Sequence, residues 1–282
     1  MEKLNRLDSV PAAFINSVEN NLPQIFNKLM STVDLEYQDG RVVRSQRNMR
    51  IILQAIDEFQ AWLLNPETSP YFSSVKDFMS EFDAQKRLNT ALLSSFGAVP
   101  TTAEVVYSAS RAQAVNLLIG DHMTSRFVGS IRDALIDSVS SARSFSEVTA
   151  SLSEVVLGNS QRNGQLLNWT KQVAHDRFAM TDRAYTAAAA EEFNVEWYQY
   201  AGGLIEDTRE FCETRNGNYY HVSEIRAWAS LGQWDGRMPN TDADSIFVKC
   251  GGYRCQHSLI PVSEFVVPES RRAEVAAKLG EN

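Results

Sequence analysis

Cysteine and histidine side chains concentrate in the last quarter of the chain, where their types and spacing could hold a metal ion. The three cysteines among the 282 residues are Cys212, Cys250 and Cys255. His221 lies between the first two, and His257 follows the last in a C-x-H pair. Because tetrahedral zinc prefers thiolate and imidazole ligands, Cys212, Cys255 and His257 are predicted to supply three of them. Cys250 is the candidate for the fourth ligand, with His221 as the alternative.

Other interpretations of these residues stay open. The chain has no C-x-x-C pair, which is the most specific zinc signature. Cys250 and Cys255 are also consistent with small buried apolar side chains or with a disulfide pair, and His257 with a hydrogen-bonded core histidine. In a reducing cytosol, zinc is favoured over a disulfide. The pair Gly251 and Gly252 would let the backbone fold tightly beside the cluster.

The composition of the chain changes after residue 194, just before this cluster. Residues 195–198 include β-branched and aromatic side chains, and a Gly pair at 202–203 then turns the chain. We therefore expect a compact α+β module over residues 195–267.

A strand is predicted at the end of this module. Residues 258–267 (SLIPVSEFVV) have the composition of a strand, but Pro261 has no N–H to donate. The segment is therefore predicted to be an edge strand or an extended arm. After Pro268 the sequence is typical of a short solvated helix, which leaves residues 268–282 as a tail.

Helical periodicity dominates the chain before this module. Apolar residues recur on one helix face at 51, 52, 55, 56, 59, 62 and 63, in a helix predicted to stop before Pro66. An earlier helix is predicted to break at Pro23. Ser144 and Glu147 form an S-x-x-E capping box that opens a helix ending at Val156.

These patterns predict the fold class. We expect a mainly α protein, in which a helical N-terminal assembly over residues 1–194 is followed by the compact Cys/His-containing α+β module. Within the helical region, residues 97–102 contain a Gly, a Pro and paired Thr, and they predict a flexible joint.

An acidic charge balance restricts the partners. Lys and Arg number 27 against 35 Asp and Glu, which gives a formal charge of −8 and argues against broad contact with phosphate backbones. A local basic stripe at Arg41, Arg44, Arg47 and Arg50 is either a solvated face or a contact for DNA or an acidic partner. No segment has the 18 or more apolar residues of a membrane span, so we expect no membrane association.

Motif searches remove the most easily recognised enzyme classes. The sequence contains no G-x-x-x-x-G-K-[ST], G-x-G-x-x-G, H-E-x-x-H or G-x-S-x-G. One enzymatic alternative remains, a nuclease-like, metal-dependent hydrolase in which the C-terminal cluster holds the metal and His221 is the base.

The C-terminal residues resemble the phage Mu-like minor head proteins, also called the phage head morphogenesis family. That family has a D-x-R-x-x-C element, a downstream Gly, a Trp, a Pro-containing turn and a final C-R-C-x-L-x-P-V run. The matching residues here are Asp207, Arg209, Cys212, Gly217, Trp228, Met238-Pro239-Asn240 and the run Cys255-Gln-His-Ser-Leu-Ile-Pro-Val262. His257 stands at the family's second Cys, which preserves a zinc ligand. The family's His upstream of this run falls near Gly252 here, so the fourth ligand is left unassigned.

The resemblance covers about residues 165–265 and carries a functional expectation. It implies a non-enzymatic structural protein of the virion, bound at the portal or inside the capsid and acting in head assembly or genome delivery. Its partners would be portal, capsid or scaffold proteins, or further copies of itself, and it would pass through the host cytoplasm during assembly.

Overall fold

A computed structural model describes residues 2–280 and shows a mainly helical protein with small antiparallel sheets. Up to residue 192 the helices are α1 (Glu2–Thr32), α2 (Gln46–Leu63), α3 (Pro70–Leu93), α4 (Thr101–Ile119), α5 (Asp121–Met123), α6 (Gly129–Ser140), α7 (Phe145–Val156) and α8 (Gln165–Glu192), with a π-helical turn at Thr124–Val128. Two short hairpins pair β1 (Tyr37–Gln38) with β2 (Arg41–Val42), and β3 (Gly158–Asn159) with β4 (Arg162–Asn163). The predicted mainly α fold class is confirmed.

Short elements follow α8 and form a small α+β arrangement. They are β5 (Trp197–Ala201), α9 (Glu210–Glu213), β6 (Tyr219–His221), α10 (Val222–Trp228), α11 (Ile246–Lys249), β7 (Ser258–Val262), a 3-10 turn at Glu264–Val266 and α12 (Glu269–Gly280). The three strands form one antiparallel sheet in the order β6-β5-β7. Pro261 lies on β7 opposite Tyr198, at the edge of this sheet, as the missing N–H of proline predicts.

The chain forms two compact units. One contains residues 2–10, 81–112 and 175–280, and the other contains residues 11–80 and 113–174. The predicted domain boundary at residue 194 does not coincide with a boundary between these units. The reason is that the end of α8 shares a core with the residues that follow it, since Ala190 is buried in the same apolar cluster as Tyr198 and Tyr200.

The unit of residues 11–80 and 113–174 has an aromatic and aliphatic core to which α1 contributes. The rings of Phe14 and Phe78 stack with centroids 4.3 Å apart. The predicted break at Pro23 is wrong, because α1 is continuous through it. Leu22 and Ile25 are buried on either side of this proline, and their burial holds the helix across the missing hydrogen bond.

The predicted joint at residues 97–102 spans the end of the loop between α3 and α4 and the first turn of α4. The ring of Phe96 stacks on that of Phe193, with centroids 6.1 Å apart. Thr102 donates a hydrogen bond of 2.7 Å to Glu192. These contacts tie the loop and the start of α4 to the end of α8, and the flexibility of the joint stays a prediction.

The predicted capping box at the start of α7 is confirmed and yields a stability prediction. The Ser144 hydroxyl accepts from the Glu147 N–H at 3.3 Å, and the Glu147 carboxylate accepts from the Ser144 N–H at 2.7 Å. Ser144→Ala is expected to lower the free energy of unfolding by about 1 kcal/mol, because one helix N–H loses its acceptor. Urea denaturation measures this effect. Ser144→Thr keeps the hydroxyl and should retain most of the stability, so equal losses in both variants would contradict the capping role.

Candidate metal centre

Two segments far apart in sequence carry the candidate metal ligands. Cys212 lies on the single-turn helix α9, Cys255 lies in the turn that follows α11, and His257 directly precedes β7. Because β7 pairs with β5, the imidazole of His257 lies nearly parallel to the Tyr200 ring, with centroids 5.3 Å apart. The antiparallel sheet therefore places His257 relative to β5.

A tight turn after α11 places Cys255. Gly252 has φ +104°, and a Cβ there would be 1.9 Å from the Gly236 carbonyl oxygen, so only glycine fits. The Tyr253 N–H donates to the same carbonyl at 2.8 Å. Arg254 also has a positive φ, of 55°. The turn therefore depends on the conformational freedom of glycine, as predicted from the Gly251-Gly252 pair in the sequence.

The structure brings Cys212, Cys255 and His257 together in one buried group. Their candidate ligand atoms all lie within 4.8 Å of one another, and the two Sγ atoms are 3.8 Å apart. The side chains are only 2%, 5% and 3% exposed, respectively. The Nε2 atom of His257 is buried and has no hydrogen-bond partner. Since buried polar atoms normally have partners, a metal ion would fit this group, and the three side chains could hold one.

Two glycines leave the space that the group occupies. A Cβ on Gly251 would be 2.4 Å from the Cys212 Sγ and 3.0 Å from the Cys255 Sγ. A Cβ on Gly202 would be 2.6 Å from two carbons of the His257 ring. The sequence predicted backbone turns at both positions. It did not indicate that these glycines make room for the ligand side chains.

Tyr200 is a further residue of the site that the sequence did not single out. Its hydroxyl donates to the Cys212 Sγ at 3.3 Å and lies 3.8 Å from the Cys255 Sγ. Burial raises the pKa of Tyr200 well above its ordinary value, so the hydroxyl keeps its proton and remains a donor. Tyr200 reaches the cysteines from strand β5, so no sequence motif links it to them.

Arg183 brings a positive charge to the same region from α8. It is 3% exposed, and it donates hydrogen bonds to the main-chain carbonyls of Val248, at 3.2 Å, and Cys255. Burial acts against its charge, but the ionised forms of Cys250, Cys255, Tyr200 and Asp182 together outweigh that effect and raise the pKa of Arg183. The guanidinium is therefore a fixed cation beside the sulfur atoms.

The two clustered thiols differ in acidity. A hydrogen bond from the Cys212 thiol, together with His257 and Arg183, holds the pKa of Cys255 well below its ordinary value. The same hydrogen bond, together with burial, raises the pKa of Cys212. These opposite shifts make Cys255 the more acidic of the two thiols, with Cys212 as its hydrogen-bond partner. Burial raises the pKa of Cys250 to about 12, so that thiol stays protonated.

Neither predicted fourth ligand joins the group. Within residues 2–280, no fourth His, Cys, Asp or Glu places a ligand atom within 4.8 Å of the ligand atoms of all three residues. The Cys250 thiol is directed to the Phe247 carbonyl oxygen, 3.6 Å away, by the turn that ends α11. His221 instead caps α10, where its Nδ1 accepts from the Ser223 N–H at 3.3 Å.

Arg209, the arginine of the D-x-R-x-x-C element, connects the two ligand-bearing segments. It donates to the Tyr253 carbonyl oxygen at 2.7 Å and pairs with the Asp235 carboxylate at 3.2 Å. These contacts tie the start of α9 to the turn that carries Cys255. Asp207 of the same element is exposed.

The group lines a cavity of about 270 Å³. The lining residues are Asp8, His175, Gly203, Ile205, Asp207, Thr208, Arg209, Cys212, Arg254, Cys255, Gln256 and His257. Because the three candidate ligands are buried while Ile205, Asp207 and Arg254 are exposed, the ligands lie at the inner end of the cavity.

The basic stripe singled out in the sequence does not lie on one helix. Arg41 belongs to β2, Arg44 precedes α2, and Arg47 and Arg50 lie within α2. All four side chains are exposed. Arg47 pairs with Glu36 at 2.9 Å, which offsets part of the positive charge.

Comparison of the chain with protein-family models, curated proteins and solved structures found no match. Across residues 2–280, no helix combines the length and apolar character needed to cross a bilayer.

The separation of the thiols predicts which disulfide the metal-free chain can form. Treatment with diamide should link Cys212 to Cys255, because their sulfurs are 3.8 Å apart and Cys255 is the more acidic thiol. As the disulfide forms, the two cysteines together lose two electrons and two protons, and diamide takes up both. Peptide mapping without reduction should find this link and an unpaired Cys250. A Cys250–Cys255 link would contradict the observed arrangement.

Proposed function

We propose that this chain is a structural protein of a phage head, of the minor head type, and that one zinc ion at Cys212, Cys255 and His257 fastens its C-terminal part. One observation carries the proposal. The cysteine of the D-x-R-x-x-C element and the two ligand residues of the C-x-H-x-L-x-P-V run lie in one buried group, although Cys212 lies 43 positions before Cys255.

The distance between the sulfurs is compatible with a shared zinc ion. Two sulfurs that each lie about 2.3 Å from a tetrahedral zinc are about 3.8 Å apart. The Sγ atoms of Cys212 and Cys255 are separated by 3.8 Å. His257 Nε2 lacks a hydrogen-bond partner, and Gly251 and Gly202 leave the space that the ligands need.

The ion would act as a cross-link. When bound, zinc joins α9 to the segment that leads into β7, so that the free energy of metal binding becomes folding free energy. Tyr200 and Arg183 would orient and balance the thiolates, by a hydrogen bond to Cys212 and by positive charge beside Cys255. A small module fastened in this way suits a part of a particle that must keep its shape during assembly.

The hydrolase alternative has less support. It requires His221 as a base beside the metal, yet the His221 side chain caps α10, and its Nε2 faces Glu196 at 4.0 Å. The structural assignment requires no such base.

Particle purification tests the assignment to a phage head. The chain should be co-expressed with any portal, scaffold and capsid proteins of the genome that encodes it, and proheads and mature particles should be analysed by mass spectrometry. We expect the chain in at least one kind of particle. Its absence from both, with assembly unaffected when its gene is deleted, would contradict the proposal.

A further inference from the structure

The coordination shell offered by Cys212, Cys255 and His257 is incomplete. Structural zinc sites usually have four protein ligands, and an ion that links two segments through only three of them keeps a position for water or a small ligand. No fourth ligand atom joins the group within residues 2–280. An ion bound there would have one position left to fill.

The cavity beside the group gives that position access to solvent. Its volume of about 270 Å³ is much larger than one water molecule, which takes up roughly 30 Å³ in the liquid. All three candidate ligands line the cavity, whose outer part includes the exposed residues Ile205, Asp207 and Arg254. A small solute therefore has a route to the ion.

The charges around the group favour an anion at that position. A divalent ion with two thiolates and a neutral imidazole has no net charge, and buried Arg183 adds one positive charge beside Cys255. Buried Asp182 also interacts with Arg183, but it is paired with Lys3 at 3.3 Å, so these three side chains together keep one positive charge. An anionic fourth ligand would balance this cation. Arg209 and Arg254 line the cavity together with Asp8 and Asp207, so the lining itself is close to neutral.

Asp8, Asp207 and His175 are the internal competitors for the position, and His175 lies outside the ligand group. Asp8 accepts a hydrogen bond of 2.8 Å from the Gln256 side chain. Asp207 is exposed, and its carboxylate is not part of the ligand group. Neither carboxylate closes the shell in this arrangement.

We infer that the ion bound at Cys212, Cys255 and His257 keeps its fourth position open to the cavity and exchanges water there for a small anion. The inference rests on the metal site of the proposed function and adds to it a ligand class, small anions with a nitrogen, oxygen or sulfur donor atom. On binding, a lone pair of the anion forms the bond to the ion, and the bound water leaves unchanged.

Cobalt(II) substitution tests the inference, because the visible bands of cobalt report its ligands. The full chain should be loaded with cobalt(II) and titrated with sodium azide. We expect thiolate-to-cobalt and ligand-field bands before titration, and a saturable change in their position and intensity with azide. Asp207→Asn should show the same response, since that side chain is not a ligand, and Cys250→Ala should also respond.

The possible failures are distinct. Absence of thiolate-to-cobalt bands would overturn both the inference and the metal site of the proposed function. Cobalt bands that azide does not change would overturn the inference and leave the metal site in place. Bands that respond to azide only in Asp207→Asn would also overturn it, because Asp207 would then occupy the fourth position.

Discussion

Cys255→Ala is expected to abolish metal binding and to lower the free energy of unfolding by about 3–5 kcal/mol. The substitution removes one of three ligands and the thiolate that Cys212, His257 and Arg183 stabilise. Bound zinc and the urea denaturation curve should be measured on the same preparations. A chelator should destabilise the unsubstituted protein and have little further effect on the variant.

Cys250→Ala is the matched control for this experiment. Cys250 is as fully buried as Cys255 and lies in the same apolar cluster, but it is outside the ligand group. The control should keep its zinc and lose only about 1 kcal/mol, because a small buried group has been removed. Equal destabilisation and equal metal content in the two variants would contradict the assignment of Cys255 as a ligand.

Gly251→Ala is expected to weaken metal binding about tenfold or more and to destabilise the protein by about 1–3 kcal/mol. The new Cβ would be 2.4 Å from the Cys212 Sγ and 3.3 Å from the Tyr200 hydroxyl, so the sulfur pair must separate. Competition with a zinc-binding dye measures the affinity, and thermal denaturation measures the stability.

Gly203→Ala provides the control for the glycine experiment. A Cβ on Gly203 would meet no atom within 4 Å, although this residue lines the same cavity. Its stability should stay within about 0.5 kcal/mol of the unsubstituted protein, with unchanged zinc affinity. An unchanged affinity in Gly251→Ala as well would show that the ion does not use the sulfur pair.

The sequence predicted the parts of the fold that depend on local patterns. The capping box at Ser144 and the edge position of Pro261 follow from hydrogen bonds that one residue makes or lacks, and both are confirmed. The break at Pro23 failed because burial of neighbouring side chains outweighed a local preference. The boundary at residue 194 marked a change in composition, but packing grouped the end of α8 with the residues after it.

The candidate site was predictable in its ligand types but not in its surroundings. Residue chemistry and spacing singled out Cys212, Cys255 and His257, and the structure places them together. Cys250 was nominated because it lies near Cys255 in sequence, yet a single turn with positive φ directs its thiol elsewhere. Tyr200 reaches the sulfurs from a neighbouring strand, and such a tertiary contact has no signature in a single sequence.

Zinc X-ray absorption spectroscopy, combined with elemental analysis, tests the central claim most directly. The full chain should be purified under reducing conditions without chelator. We predict about one zinc per chain, with two sulfur neighbours at about 2.3 Å and one or two nitrogen or oxygen neighbours at about 2.0 Å. A chain that holds no zinc even after incubation with the metal, or zinc without sulfur neighbours, would contradict the account.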